Sequence, residues 1–158
     1  MSRAFTKEDD AGEDLPEKPV SRGPNYVTPE GLKQLQDAAR ALGARRTKAL
    51  AKGDDVKAFD RDLRYLEARI GGAIVVPPGA GVEVRFGASV SIEDESGRKQ
   101  SFKIVGEDEA RAGGNLLAWS SPLAQALFGA KAGDAATLKS GEGTKKLRVL
   151  SVSYETIK

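Results

Sequence analysis

Gly71-Gly72-Ala73-Ile74-Val75-Val76-Pro77-Pro78 divides this sequence into two kinds of pattern. The paired glycines break a helix, and the paired prolines after the short apolar run mark a domain boundary. Before this stretch apolar residues recur every three or four positions, and after it they alternate every second position. The chain therefore reads as α+β, with helices first and a sheet second.

Working backward, Val56, Phe59, Leu63, Leu66 and Ile70 lie 3, 4, 3 and 4 apart, a single helical stripe. Lys52-Gly53-Asp54-Asp55 precedes it, with Gly for a left-handed helix end and Asp for the next N-cap, so the chain reverses there. Leu32, Leu35, Ala39, Leu42, Arg46 and Ala49 form a matching seam, interrupted only by Arg46. Thr28 is a fitting N-cap for this first helix, with Pro29 at the position where its missing N–H costs nothing and Glu30 in the first turn. Residues 26–74 are thus predicted to form an antiparallel coiled-coil hairpin. Residues 1–25 are polar, with six acidic and four basic residues up to Pro24, and are expected to be a disordered tail.

Working forward, Val82, Val84 and Phe86 alternate with charged residues and predict a strand. Val90 and Ile92, the polar turn Asp94-Glu95-Ser96-Gly97, and Phe102, Ile104 and Val105 predict a hairpin. Leu116 to Trp119 is a further apolar stretch, with Trp119 read as core. Leu123, Ala126, Leu127 and Phe128 predict a short helix stopped by Gly129, and residues 135–154 a closing hairpin. Residues 79–158 are expected to be an antiparallel sheet with one short helix.

Composition narrows the chemistry. With 25 basic and 23 acidic residues the formal charge is +2, too small for a strong overall field toward nucleic acid or membrane. The absence of cysteine and histidine removes disulfides, thiolate nucleophiles and the commonest general base and zinc ligand. No run approaches the roughly 20 apolar residues that span a bilayer. A cytoplasmic monomer with no membrane partner, no cofactor and no enzymatic activity of its own is expected.

Phe86-Gly87-Ala88-Ser89-Val90, Ile104-Val105-Gly106-Glu107-Asp108-Glu109-Ala110 and Ser120-Ser121-Pro122-Leu123-Ala124-Gln125-Ala126-Leu127-Phe128-Gly129 together resemble the C-terminal domain of the GreA/GreB transcript-cleavage factors. Tyr26-Val27-Thr28-Pro29-Glu30-Gly31-Leu32 resembles the start of that family's first helix, and Leu63-Arg64-Tyr65-Leu66 part of its second. The resemblance implies an FKBP-like C-terminal domain docked on the rim of the RNA polymerase secondary channel, and a coiled coil that enters the channel. It places polymerase binding on Ser120, Ser121 and Pro122, with Asp108 and Glu109 nearby. Ser121 is equally readable as the N-cap of the helix at Pro122.

In the family the hairpin tip carries carboxylates that help hold a second Mg²⁺ within the polymerase active site. Here the tip candidates are Asp54 and Asp55, with the cation Lys57 where a second carboxylate would stand. Turn and N-cap roles account for both aspartates without metal. Compared with GreB the hairpin is shorter by roughly twenty residues, or ~15 Å of reach. The resemblance then points to a channel-binding regulator that does not itself stimulate cleavage, as in the short-hairpin Rnk proteins; the alternative is a true cleavage factor. Arg45, Arg46, Lys48 and Lys52 are candidates for contact with the nascent RNA 3′ end, or a solvated helix end. A peptidyl-prolyl isomerase is a third class, disfavoured because the aromatic residues after Pro78 are expected to fill the core.

Overall fold

A computed structural model describes residues 15–77 and 79–154. These residues fall into two compact units, one of residues 15–24 and 33–72, the other of residues 25–32 and 73–154.

The first unit is helical. Helix α1 (Pro29–Ala51) begins in the second unit and runs on into this one, and α2 is Lys57–Gly71. The predicted seam positions of both helices are buried or half-buried; most intervening positions of α1 are exposed, whereas in α2 several are half-buried and Arg69 is buried. α1 ends as its sequence dictates: Gly53 adopts φ +81°, its N–H bonds to the Leu50 carbonyl, and the Asp54 N–H reaches back to Ala49. This pair of bonds is the Schellman arrangement, which satisfies carbonyls that the helix end would orphan. Asp55 then accepts a 2.9 Å bond from the Lys57 N–H two residues on, but the N-cap of α2 is Val56, with no side-chain capping bond, so the aspartate expected to cap this helix stands one residue before the cap. Across the turn, Arg46 pairs with Asp60 and the Arg45 guanidinium lies 5.5 Å from the Phe59 ring centre. Residues 1–14, within the expected tail, lie outside the described residues, and residues 15–24 form neither helix nor strand.

The second unit is mixed. Asn25–Val27 is strand β1, paired in parallel with β2 (Ala73–Val75), so residues expected to open the helical region instead hold the chain to the stretch at residue 73. The main sheet contains β3 (Ser89–Asp94), β4 (Lys99–Val105), β5 (Leu116–Ala118), β6 (Ala135–Ser140) and β7 (Gly143–Ser153), in the order β5-β4-β3-β7-β6. Val84, Ile104, Leu127 and Val149 are fully buried at the centre of its core.

Three expectations need correction. The sheet is not wholly antiparallel, because β4 and β5 run parallel. Parallel strands need a crossover, and Gly106–Asn115 supplies it through helix α3 (Glu107–Ala110) and two positive-φ glycines, Gly113 and Gly114. There is accordingly a second short helix besides α4 (Pro122–Leu127). Val82–Phe86 is no strand either. It makes one isolated bridge, Glu83 to Lys131, because Gly81 at φ +123° and Gly87 at φ +90° bound a stretch with room for little more. Its alternation still serves packing, since Val84 is buried and Val82 is 64% exposed.

Candidate polymerase-docking site

The loop between β5 and α4 gathers much of what the sequence singled out. Ser121 adopts extended φ/ψ and its Oγ accepts from the Ala124 N–H at 3.2 Å, with Pro122 at the first helical position. The capping role of Ser121 is thus real, and it fixes the loop that displays its neighbours. Ser120 Oγ donates to Glu107 Oε2 at 2.5 Å, and Gln125 Nε2 donates to the Trp119 carbonyl at 2.8 Å. Ser120, Pro122 and Gln125 are exposed. The result is a small polar surface of one hydroxyl, one carboxylate, one amide and a rigid proline ring, on two short helices.

Behind this surface is an aromatic brace. The Tyr26 ring meets Trp119 edge-on with centroids 4.9 Å apart and lies 6.4 Å from Phe86. Gly106 permits this approach, since a Cβ there would fall 2.6 Å from the Tyr26 carbonyl oxygen. Trp119 is half-buried against the core, and its indole N–H is enclosed without a hydrogen-bond partner.

The acidic candidates separate. Asp108 has a side chain only 12% exposed and lies 3.6 Å from Arg111. Glu109 accepts a hydrogen bond from Thr28 Oγ1 at 2.5 Å. Both carboxylates are therefore engaged within the fold. Glu107 stands beside Ser120 instead, and sequence reasoning did not single it out. The signal was present: Gly106 followed by three acids is the opening of a helix whose first turn favours negative charge.

At the turn between α1 and α2 the candidates also differ. Asp55 is engaged by the Lys57 N–H, whereas Asp54 is exposed with no hydrogen bond or ion pair from its side chain among the described residues. Of the cations, Arg45 and Arg46 contact α2, while Lys48 and Lys52 are exposed and unpaired among the described residues. The turn thus offers one open carboxylate and two open ammonium groups. A hard divalent cation takes several oxygen ligands, and Asp54 supplies one carboxylate toward such a set. No group of three or more potential metal-ligating side chains gathers among the described residues. No helix among them is long and apolar enough to cross a membrane.

A family model described as "Transcription elongation factor, GreA/GreB, C-term" matches residues 80–154. Transcription elongation factor GreB of Neisseria meningitidis serogroup B is 34% identical over 153 residues, covering 82% of this chain and 94% of that protein. Transcription elongation factor GreA of Verminephrobacter eiseniae is 41% identical over 96 residues, covering 58% and 61%. Among solved structures, GreA factor homolog 1 (Gfh1) of Thermus thermophilus is similar at TM-score 0.40 and 22% identity, covering 82% of this chain and 99% of that one. The GreA/GreB factor of Nitrosomonas europaea is similar at TM-score 0.41 and 20% identity, covering 84% and 100%.

These relatives correct one expectation. The chain was expected to be no enzyme and at most a modulator of the polymerase; the relatives it matches are elongation factors by name, the GreB over nearly its whole length, so a place outside the chemistry of elongation does not follow. The GreB match across 94% of that protein, together with the C-terminal family model, shows that this chain belongs to the GreA/GreB family of transcription elongation factors.

Proposed function

We propose that this protein docks on bacterial RNA polymerase at the rim of the secondary channel through the Ser120–Pro122 surface, and presents the α1–α2 pair, as a short coiled-coil hairpin, to the channel. The observation that carries the reading is the loop itself. Ser121 caps α4 from within, which leaves Ser120, Pro122 and Gln125 held rigidly and turned outward, with Glu107 beside Ser120. Loop residues fixed by a scaffold are the usual means by which small domains bind partners. The second unit would correspond to the FKBP-like domain of the family. An isomerase role gains no support from two hollows along its sheet, whose linings hold one aromatic residue, Phe102.

For the tip, our reading is that the protein does not itself stimulate transcript cleavage. Two observations support it. Asp55 is occupied by the α2 N-terminus. α2, at 15 residues, rises only ~22 Å. Genuine cleavage stimulation remains the second reading, favoured by the open carboxylate of Asp54 and the free cations Lys48 and Lys52, which suit an RNA 3′ end.

Two measurements test these readings. Core polymerase should bind the protein, and Ser120→Ala with Pro122→Ala should weaken binding; unchanged affinity would remove the loop from the interface. A backtracked elongation complex should show no accelerated release of short 3′ fragments. Rapid release that disappears in Asp54→Ala would establish the second reading instead.

A further inference from the structure

Residues 15–24 form no regular structure, yet two consecutive side chains are matched to two charged side chains of α2. Glu17 accepts two hydrogen bonds from Arg64, from Nε and Nη2, each 2.7 Å. Lys18 Nζ lies 3.1 Å from Asp62 Oδ1 and 5.7 Å from the centre of the Tyr65 ring. An acid and then a base on the segment thus meet a base and an acid on the helix, and the cation also sits on an aromatic face. Pro16 and Pro19 bracket the pair. Each fixes φ and disfavours the helical region in the residue before it, which lowers the entropy lost when the segment lies down.

The hold is specific and weak. Arg64 and Glu17 are 54% and 60% exposed at their side chains, and exposed pairs contribute little and are screened by salt. Leu15 and Val20 are 36% and 45% exposed, so apolar burial adds little anchoring. A contact that is sequence-matched but lightly held suits a segment that is displaced in use.

We propose that residues 15–24 are a displaceable strap that covers the surface formed by Asp62, Arg64 and Tyr65 of α2 and competes with RNA polymerase for it. The inference rests on the functional reading above, in which the α1–α2 pair enters the channel. An extended chain laid on α2 adds roughly 5 Å to its thickness and neutralises Arg64 and Asp62. The strap leaves α2 before that face engages the polymerase, and the bound polymerase in turn keeps the strap off.

The test uses the full chain with both charges reversed, Glu17→Arg with Lys18→Glu, in a titration against core polymerase. Several-fold tighter binding at low salt is expected, with the advantage over the parent chain shrinking as salt releases the parent's own strap. A second variant, Lys18→Cys with Asp62→Cys, uses the absence of any native cysteine, with a flexible bis-maleimide spanning the reach of the lysine stem. Its cross-linked, locked form should bind several-fold more weakly than its unlinked form. Equal binding by open, parent and locked forms overturns the strap, and so does weaker binding on charge reversal, which would make the segment a docking contact. Failure of every form to bind polymerase sinks the functional reading itself.

Discussion

Thr28 and Glu109, 81 residues apart in sequence, share a 2.5 Å hydrogen bond that joins the start of α1 to α3. Thr28 Oγ1 donates to the carboxylate and also accepts from the Gly31 N–H at 2.9 Å, so one hydroxyl both caps the helix and ties down a side chain from the crossover. The residue is 4% exposed.

Thr28→Ala removes the cap and leaves the Glu109 carboxylate without this donor, at a cost of about 1–2 kcal/mol in urea unfolding. Thr28→Ser, which keeps the hydroxyl, should cost much less. Gly31 adds a sharper test, because a Cβ there would lie 2.7 Å from Glu109 Oε1. Alanine ordinarily stabilises a helix interior by about 1 kcal/mol over glycine, yet Gly31→Ala should destabilise. In a Glu109→Ala background the same substitution should become neutral or favourable. Additive effects in that double-mutant cycle would contradict a direct clash.

At the turn between the helices, structure and function separate by residue. Gly53 at φ +81° should lose about 1–2 kcal/mol on change to Ala, from the left-handed conformation alone. Asp55→Ala removes the 2.9 Å bond to the Lys57 N–H and should cost about 1 kcal/mol. Asp54→Ala should leave the melting curve where it was. If Asp54→Ala instead lowers stability as much as Asp55→Ala, its carboxylate is structural and cannot serve as a clean probe of the tip.

The sequence revealed whichever features have local causes. Periodicity found both helix stripes, and Thr28 and Gly53 marked helix ends, because capping and positive φ are decided within a few residues; the aspartate expected to cap α2 falls one residue short of the actual N-cap, Val56. Strand pairing β3–β4 and β6–β7 was legible for the same reason, each being closed by a tight turn. What stayed hidden depends on distance along the chain. The parallel β4–β5 pair is set by a crossover, and the short apolar run of β5 does not say which way its partner runs. Val82–Phe86 alternates as a strand does, but no partner lies along most of its length. In the candidate site, Ser120, Ser121 and Pro122 stood out as a motif, whereas Glu107 acquires its place only when the crossover brings α3 beside Ser120.

Asp94 gives a pH-dependent prediction. Its carboxylate accepts from Ser96 Oγ at 2.6 Å, from the Ser96 N–H at 2.9 Å and from the Arg98 N–H at 3.0 Å, closing the β3–β4 turn. The Ser96 hydroxyl, and after it the Arg98 amide, hold this carboxyl below the usual aspartate range. A depressed folded value means that the contribution is complete above the ordinary aspartate pKa and is lost as pH falls through the lowered one. Protection of the Arg98 amide from hydrogen exchange should therefore survive to mildly acidic pH and fall only below the ordinary range. An NMR titration of Asp94 with a midpoint at or above the ordinary value would contradict this assignment.

Adjacent serines in the β5–α4 loop should give opposite results if that loop docks on the polymerase as proposed. Ser121→Ala deletes the bond to the Ala124 N–H and should lower stability by about 1 kcal/mol. Ser120 is exposed and bonds only Glu107 among the described partners, so Ser120→Ala should stay within about 0.5 kcal/mol of the parent. Binding to core polymerase should follow the reverse order once each variant is measured well below its melting temperature. If Glu107 acts by orienting the Ser120 hydroxyl, Glu107→Ala and Ser120→Ala should be non-additive in affinity, the double variant losing little more than either alone. Fully additive losses would make them independent contacts, and a larger binding defect in Ser121→Ala than in Ser120→Ala would show that loop geometry matters more than the exposed hydroxyl.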